Sequence, residues 1–287
     1  MNQTKPEHLN LREAEFGANF PAAPFLVEHR LSQHPLFSLE SLIALSKRLP
    51  AENVEYNAGN IEVDMHSKAT PQTGLSVEET IRRIETCKSW MVLKNVGTDP
   101  QYAALLNECL DQIQRLTDRV EPGMAHRLGY IFISSPGSKT PYHNDPEHNF
   151  LLQIRGRKEI HIWDPMDRSV LSETEIEGRL SGKHRNLAYK DEYAAREKVF
   201  ELTPGVGLHF PLRAPHWVQN GPEVSVSFSI TFLTDEVMRS DVIYKANSML
   251  RSAGLSPRAV GTSPLRDAAV FNGMRALWWG KRLIGRQ

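Results

Sequence analysis

His143 and Asp145 are separated by a single residue in a short polar segment, positions 140–145. Side chains alternate along an extended chain, so this imidazole and this carboxylate point to the same side. Together they can fill two adjacent positions on a metal ion, and a second histidine would complete the two-histidine, one-carboxylate set of non-haem iron sites. His216 is the best candidate for that distant ligand. A surface histidine–aspartate pair in a turn has the same spacing, so the pair alone leaves both interpretations open.

The middle of the chain, residues 123–234, has the pattern of a β-structure. Residues 224–232 alternate strictly between apolar and hydroxyl-bearing side chains, and a period of two predicts a strand. A short turn containing a glycine joins two apolar blocks into a predicted hairpin, and Lys158 opens its second strand. The predicted strands are 128–134, 149–154, 158–163, 208–210, 217–219 and 224–232. Many short strands favour a sandwich or barrel, and the more polar residues 166–198 are interpreted as an insertion.

The two flanks are predicted to be extensions of this core. Residues 1–122 are predicted to be helix-rich, with a strand at 90–96, and residues 235–287 to be helical. Predicted helices occupy 38–49, 76–87, 99–116, 234–253 and 265–283. The sequence therefore predicts three parts: an α/β-rich N-terminal extension packed on the core, a mainly β core, and a C-terminal helical segment.

Several short motifs of the core occur together in one known family. They are Thr140-Pro141-Tyr142-His143-Asn144-Asp145, Asn149-Phe150, Gln153-Ile154-Arg155-Gly156-Arg157-Lys158, Phe210-Pro211, Pro215-His216 and Asn220. In this order and spacing they resemble the JmjC-type cupins, which include the asparaginyl hydroxylase of hypoxia-inducible factor and many bacterial cupin-like proteins. The resemblance covers residues 128–232 closely and residues 24–49 less specifically.

This resemblance implies a fold and a chemistry. The fold would be a double-stranded β-helix, also called a cupin or jelly roll. The chemistry would be that of an Fe(II)- and 2-oxoglutarate-dependent oxygenase of the hydroxylase class. The resemblance implies that His143, Asp145 and His216 hold the iron. No residues beyond this metal site are expected to be catalytic.

The resemblance also implies a binding site for 2-oxoglutarate. Thr140 and Lys158 would bind its distal carboxylate, and Asn149 would line the same pocket. A buried lysine needs an anion, and a dicarboxylate supplies one. Thr231 lies on the hydroxyl-bearing face of its strand and would contact the cosubstrate if that face looks inward; a hydroxyl row facing solvent is the alternative. The other histidines, among them His148 and His161, are expected to lie outside the metal site.

Two other classes of function remain open at this stage. One is a cupin-fold binding or regulatory protein that holds a metal such as Zn²⁺ or Ni²⁺ without turnover of 2-oxoglutarate. The other is a metal-dependent cupin isomerase or dioxygenase that does not use 2-oxoglutarate. The substrate is not encoded in a recognisable motif. A protein or peptide side chain is preferred, with a small metabolite close behind.

Composition restricts the cellular setting. The chain has 287 residues, 34 basic and 34 acidic, so its formal net charge is zero and direct nucleic-acid binding is not expected. Two cysteines favour a reducing compartment. The polar N-terminus and the lack of an apolar run near roughly 20 residues predict a cytoplasmic protein without a membrane span. Trp278 and Trp279 in the last helix favour a homodimer interface over a membrane-surface helix.

Overall fold

The computed structural model describes residues 6–58 and 74–284, with side chains described as far as Trp279. In this part of the chain twelve strands form two antiparallel sheets. The larger sheet consists, from edge to edge, of β1 (Leu9–Asn10), β2 (Phe25–His29), β10 (Val206–Phe210), β7 (His148–Arg155), β12 (Ser225–Leu233), β5 (Ala125–Ser134), β4 (Ser89–Leu93) and β3 (Val54–Ala58). The smaller sheet consists of β6 (Lys139–His143), β11 (His216–Asn220), β8 (Lys158–Ile162) and β9 (Lys198–Leu202).

The central strands β7 and β12 of the larger sheet are buried on both faces. The apolar residues of β12 pack into a core that also holds side chains from the helices, including Leu42 and Leu110. The opposite face packs on the smaller sheet through a second cluster, which contains Leu151, Leu208 and Ile160. The helices are α1 (Glu13–Asn19), α2 (Leu39–Arg48), α3 (Val77–Arg82), α4 (Pro100–Thr117), α5 (Glu173–Leu180), α6 (Asp235–Ser252) and α7 (Pro264–Ile284). The result is a layer of helices, a large sheet and a small sheet.

Several of the helices begin where the sequence places capping residues. The Ser38 side chain accepts a hydrogen bond from the Ser41 amide at the start of α2. The Asp99 carboxylate caps α4, whose first residue is proline. Such caps satisfy amides that have no partner within the helix, and each contributes about 1 kcal/mol.

The insertion predicted at 166–198 connects β8 to β9. These two strands are neighbours, and Ile162 lies opposite Lys198 in their register. Between them the chain forms α5 and a short 3₁₀ helix, and it packs on the smaller sheet through Tyr142 and Trp163. The buried Glu177 carboxylate of α5 forms an ion pair of 2.8 Å with Arg251 of α6. The insertion is therefore fixed both to the barrel and to the C-terminal helices.

The predicted mainly β core between helical ends is confirmed, with differences at individual elements. The strand predicted at 90–96 ends at Leu93, because Asn95 adopts a left-handed backbone conformation (φ 51°) and a 3₁₀ turn follows. The first 122 residues also supply the strands β1 to β4, which the sequence pattern mostly missed. Because β4 pairs with β5 and β2 pairs with β10, this part is joined to the core by backbone hydrogen bonds.

In the described ranges, no helix is both long enough and apolar enough to cross a membrane. The polar N-terminal segment used for the sequence prediction lies partly outside those ranges, since residues 1–5 are not described.

Candidate metal centre and its cavity

The three predicted metal ligands meet at one end of the smaller sheet. His143 is the last residue of β6, His216 is the first residue of β11, and the two lie opposite each other in the register of this antiparallel pair. Asp145 follows β6 by two residues. The Nε2 atoms of His143 and His216 lie 3.8 Å from Oδ1 and Oδ2 of Asp145, respectively. Their candidate ligand atoms all lie within 4.8 Å of one another.

Backbone carbonyls fix the tautomer of both imidazoles. The Nδ1 of His143 lies 2.7 Å from the Pro141 carbonyl oxygen, and the Nδ1 of His216 lies 2.9 Å from that of Ala214. A carbonyl oxygen only accepts, so each Nδ1 carries the proton and each Nε2 presents a lone pair. A metal-binding histidine needs this arrangement of its second ring nitrogen.

Burial keeps these imidazoles neutral. Burial, with a smaller contribution from neighbouring His216, lowers the pKa of His143 to about 3. Burial likewise lowers the pKa of His216. For Asp145 burial acts to raise the pKa, but His143, His216 and nearby arginines together outweigh it and hold that pKa below its usual range. Two neutral imidazoles beside one carboxylate are ready to bind a divalent ion without first losing protons.

The triad opens into a cavity of about 140 Å³ between the two sheets. A cavity that holds one water needs roughly 10–15 Å³ of space for the centre of that molecule. This cavity therefore has room for a small organic molecule. Apolar side chains form much of its wall: Trp90, Phe132, Leu151, Phe210 and Val218. The polar and charged residues that line it are Tyr130, Ser134, Thr140, His143, Asp145, Glu147, Asn149, Lys158, Arg179, Arg185, His216, Ser229 and Thr231.

Lys158 is a buried cation in the wall of this cavity. The residue is 5% exposed, and among the described residues nothing forms a hydrogen bond or an ion pair with its ammonium group. Burial lowers the pKa of Lys158 to about 7. A buried charge without a partner is costly, so the position indicates an anionic ligand that is bound when the protein works.

The other predicted cosubstrate residues also line the cavity. Thr140 contributes from β6, and Asn149 and Thr231 from neighbouring strands of the larger sheet. The Ser229 hydroxyl donates to the Asn149 side-chain oxygen at 2.8 Å, while the buried Thr231 hydroxyl has no hydrogen-bond partner. The hydroxyl row of β12 therefore faces inward, and the solvent-facing alternative is wrong. Thr231 Oγ1 is a second unused polar atom in the cavity.

Three histidines expected outside the metal site are absent from the cavity wall. His148 contacts the Glu121 carboxylate at 3.1 Å. His161 stacks on Trp217 with ring centroids 3.8 Å apart. His209 lies against Phe25 and other aromatic rings. All three are explained by packing and local hydrogen bonds.

Sequence reasoning missed several cavity residues. Tyr130 shares a face of β5 with Phe132, and both reach the cavity, but the strand is apolar on both faces and the pattern does not show which face is inward. Arg179 and Arg185 come from the insertion, where the sequence carries no motif. Glu147 follows Asp145 by two residues, and burial, together with the nearby Asp145 charge, raises its pKa to about 7.

Comparison with known proteins agrees with this geometry. The family described as a cupin-like domain matches residues 42–238, which is more than half of the chain. The chain belongs to the cupin-like domain family. The resemblance to JmjC-type cupins that the motifs predicted is thereby confirmed.

The curated relatives of this cupin-like chain match over part of their length. "Lysine-specific demethylase 8" of Xenopus tropicalis is 30% identical over 104 residues, which is 33% of this chain and 22% of that protein. "HSPB1-associated protein 1" of Rattus norvegicus is 27% identical over 139 residues, which is 45% of this chain and 29% of that protein. The chain thus matches less than a third of the length of these relatives.

Solved structures share the fold of this cupin-like chain. Escherichia coli ycfD superposes with a TM-score of 0.55 at 15% identity, covering 96% of this chain and 69% of that chain. A structure described as the Escherichia coli ribosomal oxygenase YcfD in complex with cobalt and 2-oxoglutarate gives a TM-score of 0.51 at 15% identity, covering 94% and 67%. At this identity the likeness concerns the fold.

Proposed function

We propose that this cupin-like protein is an Fe(II)- and 2-oxoglutarate-dependent oxygenase of the hydroxylase class. One observation carries the proposal: the His143–Asp145–His216 cluster opens into a cavity that also holds the buried, unpaired ammonium of Lys158. A cluster of metal-binding side chains alone fits many cupins. Such a cluster in the same cavity as an unpaired cation fits a cosubstrate that both chelates the metal and carries a distant carboxylate.

The residues fit iron by their chemistry. Two neutral imidazoles and one carboxylate form the two-histidine, one-carboxylate set, which leaves the remaining positions of the ion open. When bound, Fe(II) with 2-oxoglutarate and O₂ supplies the oxidising chemistry that breaks a substrate C–H bond. His143, Asp145 and His216 would hold the ion at the end of the smaller sheet. The Pro141 and Ala214 carbonyls keep both imidazoles turned toward it.

The residues also fit 2-oxoglutarate. Lys158 would pair with the distal carboxylate, and the hydroxyls of Thr140 and Thr231 and the amide of Asn149 would complete its hydrogen bonds. The unpartnered Thr231 hydroxyl supports this arrangement, since a buried polar atom without a partner costs about 1–3 kcal/mol. The apolar wall around these groups excludes water, which strengthens each ionic contact.

The proposal is tested by anaerobic titration of Fe(II) and 2-oxoglutarate into metal-free protein. We expect the weak visible charge-transfer absorption of 2-oxoglutarate chelated to ferrous iron. Lys158→Ala should weaken 2-oxoglutarate binding by at least about tenfold, because a charge-assisted pair contributes about 1.5–3 kcal/mol. Lys198→Ala is the matched control, since Lys198 is exposed on the neighbouring strand β9.

The alternatives give different results in this titration and in activity assays of the Lys158→Ala variant. Metal binding without the absorption would contradict the proposal and favour a metal-binding regulatory cupin. Activity that is untouched by Lys158→Ala would favour a cupin isomerase or a dioxygenase that does not use 2-oxoglutarate.

For the substrate, we propose a protein or peptide side chain, with a small metabolite as the alternative. The printed names of two similar proteins, a lysine-specific demethylase and a ribosomal oxygenase, support the first choice.

The cytoplasmic location and the homodimer also remain proposals. Support for the dimer comes from α7, where Leu265, Leu277, Trp278 and Trp279 are exposed while Met274 faces the protein. Several large apolar side chains exposed on one helix are typical of an interface.

A further inference from the structure

Two arginines from the insertion line the same cavity as the three candidate metal ligands. Arg179 lies in the last turn of α5, and Arg185 lies in the loop that follows it. Within the described ranges, neither guanidinium group has a hydrogen bond or an ion pair, and the Arg179 Nε is buried without a partner. Glu147 lines the cavity too, yet it forms no ion pair with either arginine.

The insertion holds both arginines in place. A capping box of Ser172 and Glu175 starts α5, and the ion pair of Glu177 with Arg251 fixes this helix to α6. Next to Arg185, the Leu187 amide donates to the Tyr142 carbonyl at 2.9 Å. Arg185 is therefore held beside the end of β6, which carries His143.

The charges of the proposed metal ion and cosubstrate are balanced without these two arginines. The two positive charges of a ferrous ion and the one of Lys158 balance the single charge of Asp145 and the two of 2-oxoglutarate. Arg179 and Arg185 remain, with Glu147 as the one further carboxylate in the cavity wall. A cavity that keeps surplus positive charge after its cofactors are bound favours an anion as the next ligand.

We propose that Arg179 and Arg185 bind a carboxylate group of the substrate. This rests on the proposed oxygenase function and names its substrate class: an acid, either free or as an aspartate or glutamate side chain. Guanidinium groups bind carboxylates through paired, charge-assisted hydrogen bonds. The same two charges disfavour a lysine or arginine side chain in this cavity. Arg179 and Arg185 are thus specificity-determining residues for the proposed reaction.

The test uses the full chain loaded with Zn(II), an inert substitute, and 2-oxoglutarate. Isothermal titration calorimetry compares N-acetyl-glutamate N-methylamide with its glutamine and lysine counterparts, and free glutarate forms a further arm. We expect the glutamate probe or glutarate to bind at least about tenfold tighter than the glutamine probe, a difference of about 1.4 kcal/mol. Whichever acid binds more tightly identifies a peptide-borne or a free substrate carboxylate.

The variants are Arg179→Gln, Arg185→Gln and the double substitution. We expect the acid preference to fall to about twofold or less in the double variant, with partial recovery when both positions are lysine. Arg196→Gln is the control, because Arg196 belongs to the same insertion but is exposed outside the cavity. Far-ultraviolet circular dichroism and thermal melts verify that each variant is folded.

Several results would overturn the inference. Equal binding of the acid and amide probes would do so, as would a dissociation constant above about 10 mM for both acids. An acid preference that survives the double substitution would also count against it. Loss of 2-oxoglutarate binding in the arginine variants would instead assign these residues to the cosubstrate. A missing charge-transfer absorption in the Fe(II) titration would count against the oxygenase proposal. The calorimetry is repeated on metal-free protein, so that acid binding by the two arginines is tested independently of that proposal.

Discussion

His143 and His216 lie directly opposite each other in an antiparallel strand pair, with ring centroids 4.2 Å apart. Because the two strands are hydrogen-bonded neighbours, the distance between the imidazoles is set by the sheet and not by a flexible loop. Sites on strands keep their geometry more accurately than sites on loops. The candidate metal centre therefore has its two histidines in place without an ion.

Removing one ligand should abolish the activity without unfolding the protein. We expect His143→Ala and Asp145→Ala each to bind less than one equivalent of Fe(II) and to lose iron-dependent succinate formation. His161→Ala is the control, because His161 lies on the face of β8 opposite to Lys158 and stacks on Trp217. Metal content and succinate are measured on the same samples. Retained turnover in both ligand variants would rule out the assignment.

Lys158 should lower the free energy of unfolding of the protein when no metal or 2-oxoglutarate is bound. Lys158→Met removes a buried, unpaired charge and fills a similar volume, so the free energy of unfolding without 2-oxoglutarate should rise by about 1–3 kcal/mol. Urea unfolding of metal-free protein measures this. With saturating 2-oxoglutarate and metal, the order should reverse, because only the wild type gains from the ligand. A metal-free variant less stable than wild type would mean that the ammonium already has a favourable environment.

The affinity for 2-oxoglutarate should depend on pH through Lys158. Its pKa is about 7 in the folded protein, against a usual 10.5, so the ammonium loses its proton as the pH rises through about 7. The bound carboxylate requires the charged form, so the dissociation constant should rise roughly tenfold per pH unit above that point. Titrations between about pH 6.5 and 8.5 test this. Lys158→Arg stays charged and should flatten the profile; an equally steep profile would assign the titration to another group.

The same shift has a consequence for stability, with a definite sign. Below about pH 7 Lys158 is protonated in both the folded and the unfolded chain, so its burial cost is fully present. Between about pH 7 and 10.5 the folded protein releases the proton while the unfolded chain keeps it. The stability advantage of Lys158→Met should therefore shrink as the pH rises across this interval.

Gly156 controls how Lys158 enters its strand. It adopts a φ of 65° in the turn between β7 and β8, and an added Cβ would lie 2.5 Å from the Val224 carbonyl oxygen. Gly156→Ala should lower the free energy of unfolding by about 2–3 kcal/mol and weaken 2-oxoglutarate binding. Gly254→Ala is the matched control: its φ is 83°, but nothing lies within 4 Å of the new Cβ. That change should cost about 1 kcal/mol and leave binding intact. Equal losses would show that the contact with Val224 is unimportant.

Substitution of the exposed tryptophans of α7 tests the proposed homodimer. We expect the wild-type chain to sediment as a dimer at micromolar concentration and the Trp278→Glu, Trp279→Glu double variant to sediment as a monomer. Met166→Glu places a charge on another exposed apolar side chain, 71% exposed, and should leave the dimer intact. A monomeric wild type would remove the proposal.

Much of the barrel could be predicted from sequence because its signals are local. The alternation at 224–232 reproduces β12 within one residue at each end, and the hairpin glycine locates β7 and β8. The face of β12 that looks inward could not be predicted, because both faces are buried. Ser229 and Thr231 line the cavity, and Ser225 and Ser227 on the same face form hydrogen bonds with Gln153, while the apolar residues of β12 face the helices. Polarity then marks the ligand side and not the solvent side.

The residues that sequence missed are those placed by distant packing. Short β1 and β2 have no periodic pattern, and they become strands by pairing at the edge of the larger sheet. Arg179 and Arg185 carry no local signal, since their position depends on how the insertion folds back against the smaller sheet. By contrast, the metal-ligand cluster could be predicted because its residues belong to motifs that resemble the JmjC-type cupins, whereas the spacing of His143 and Asp145 alone left a surface pair open; Asp145 in fact lies two residues past the end of β6.

The path of the chain between β8 and β9 separates two tasks. It leaves the smaller sheet at Ile162 and returns at Lys198, the residue paired opposite, so the whole insertion begins and ends at one point of the barrel. A segment with adjacent ends behaves like a cassette, because another of different length can be spliced in without shifting the strands. The metal ligands and Lys158 lie outside this cassette, whereas Arg179 and Arg185 lie within it. Under the proposed function, exchanging this segment would change the substrate preference while the residues proposed to bind the metal and 2-oxoglutarate stay the same.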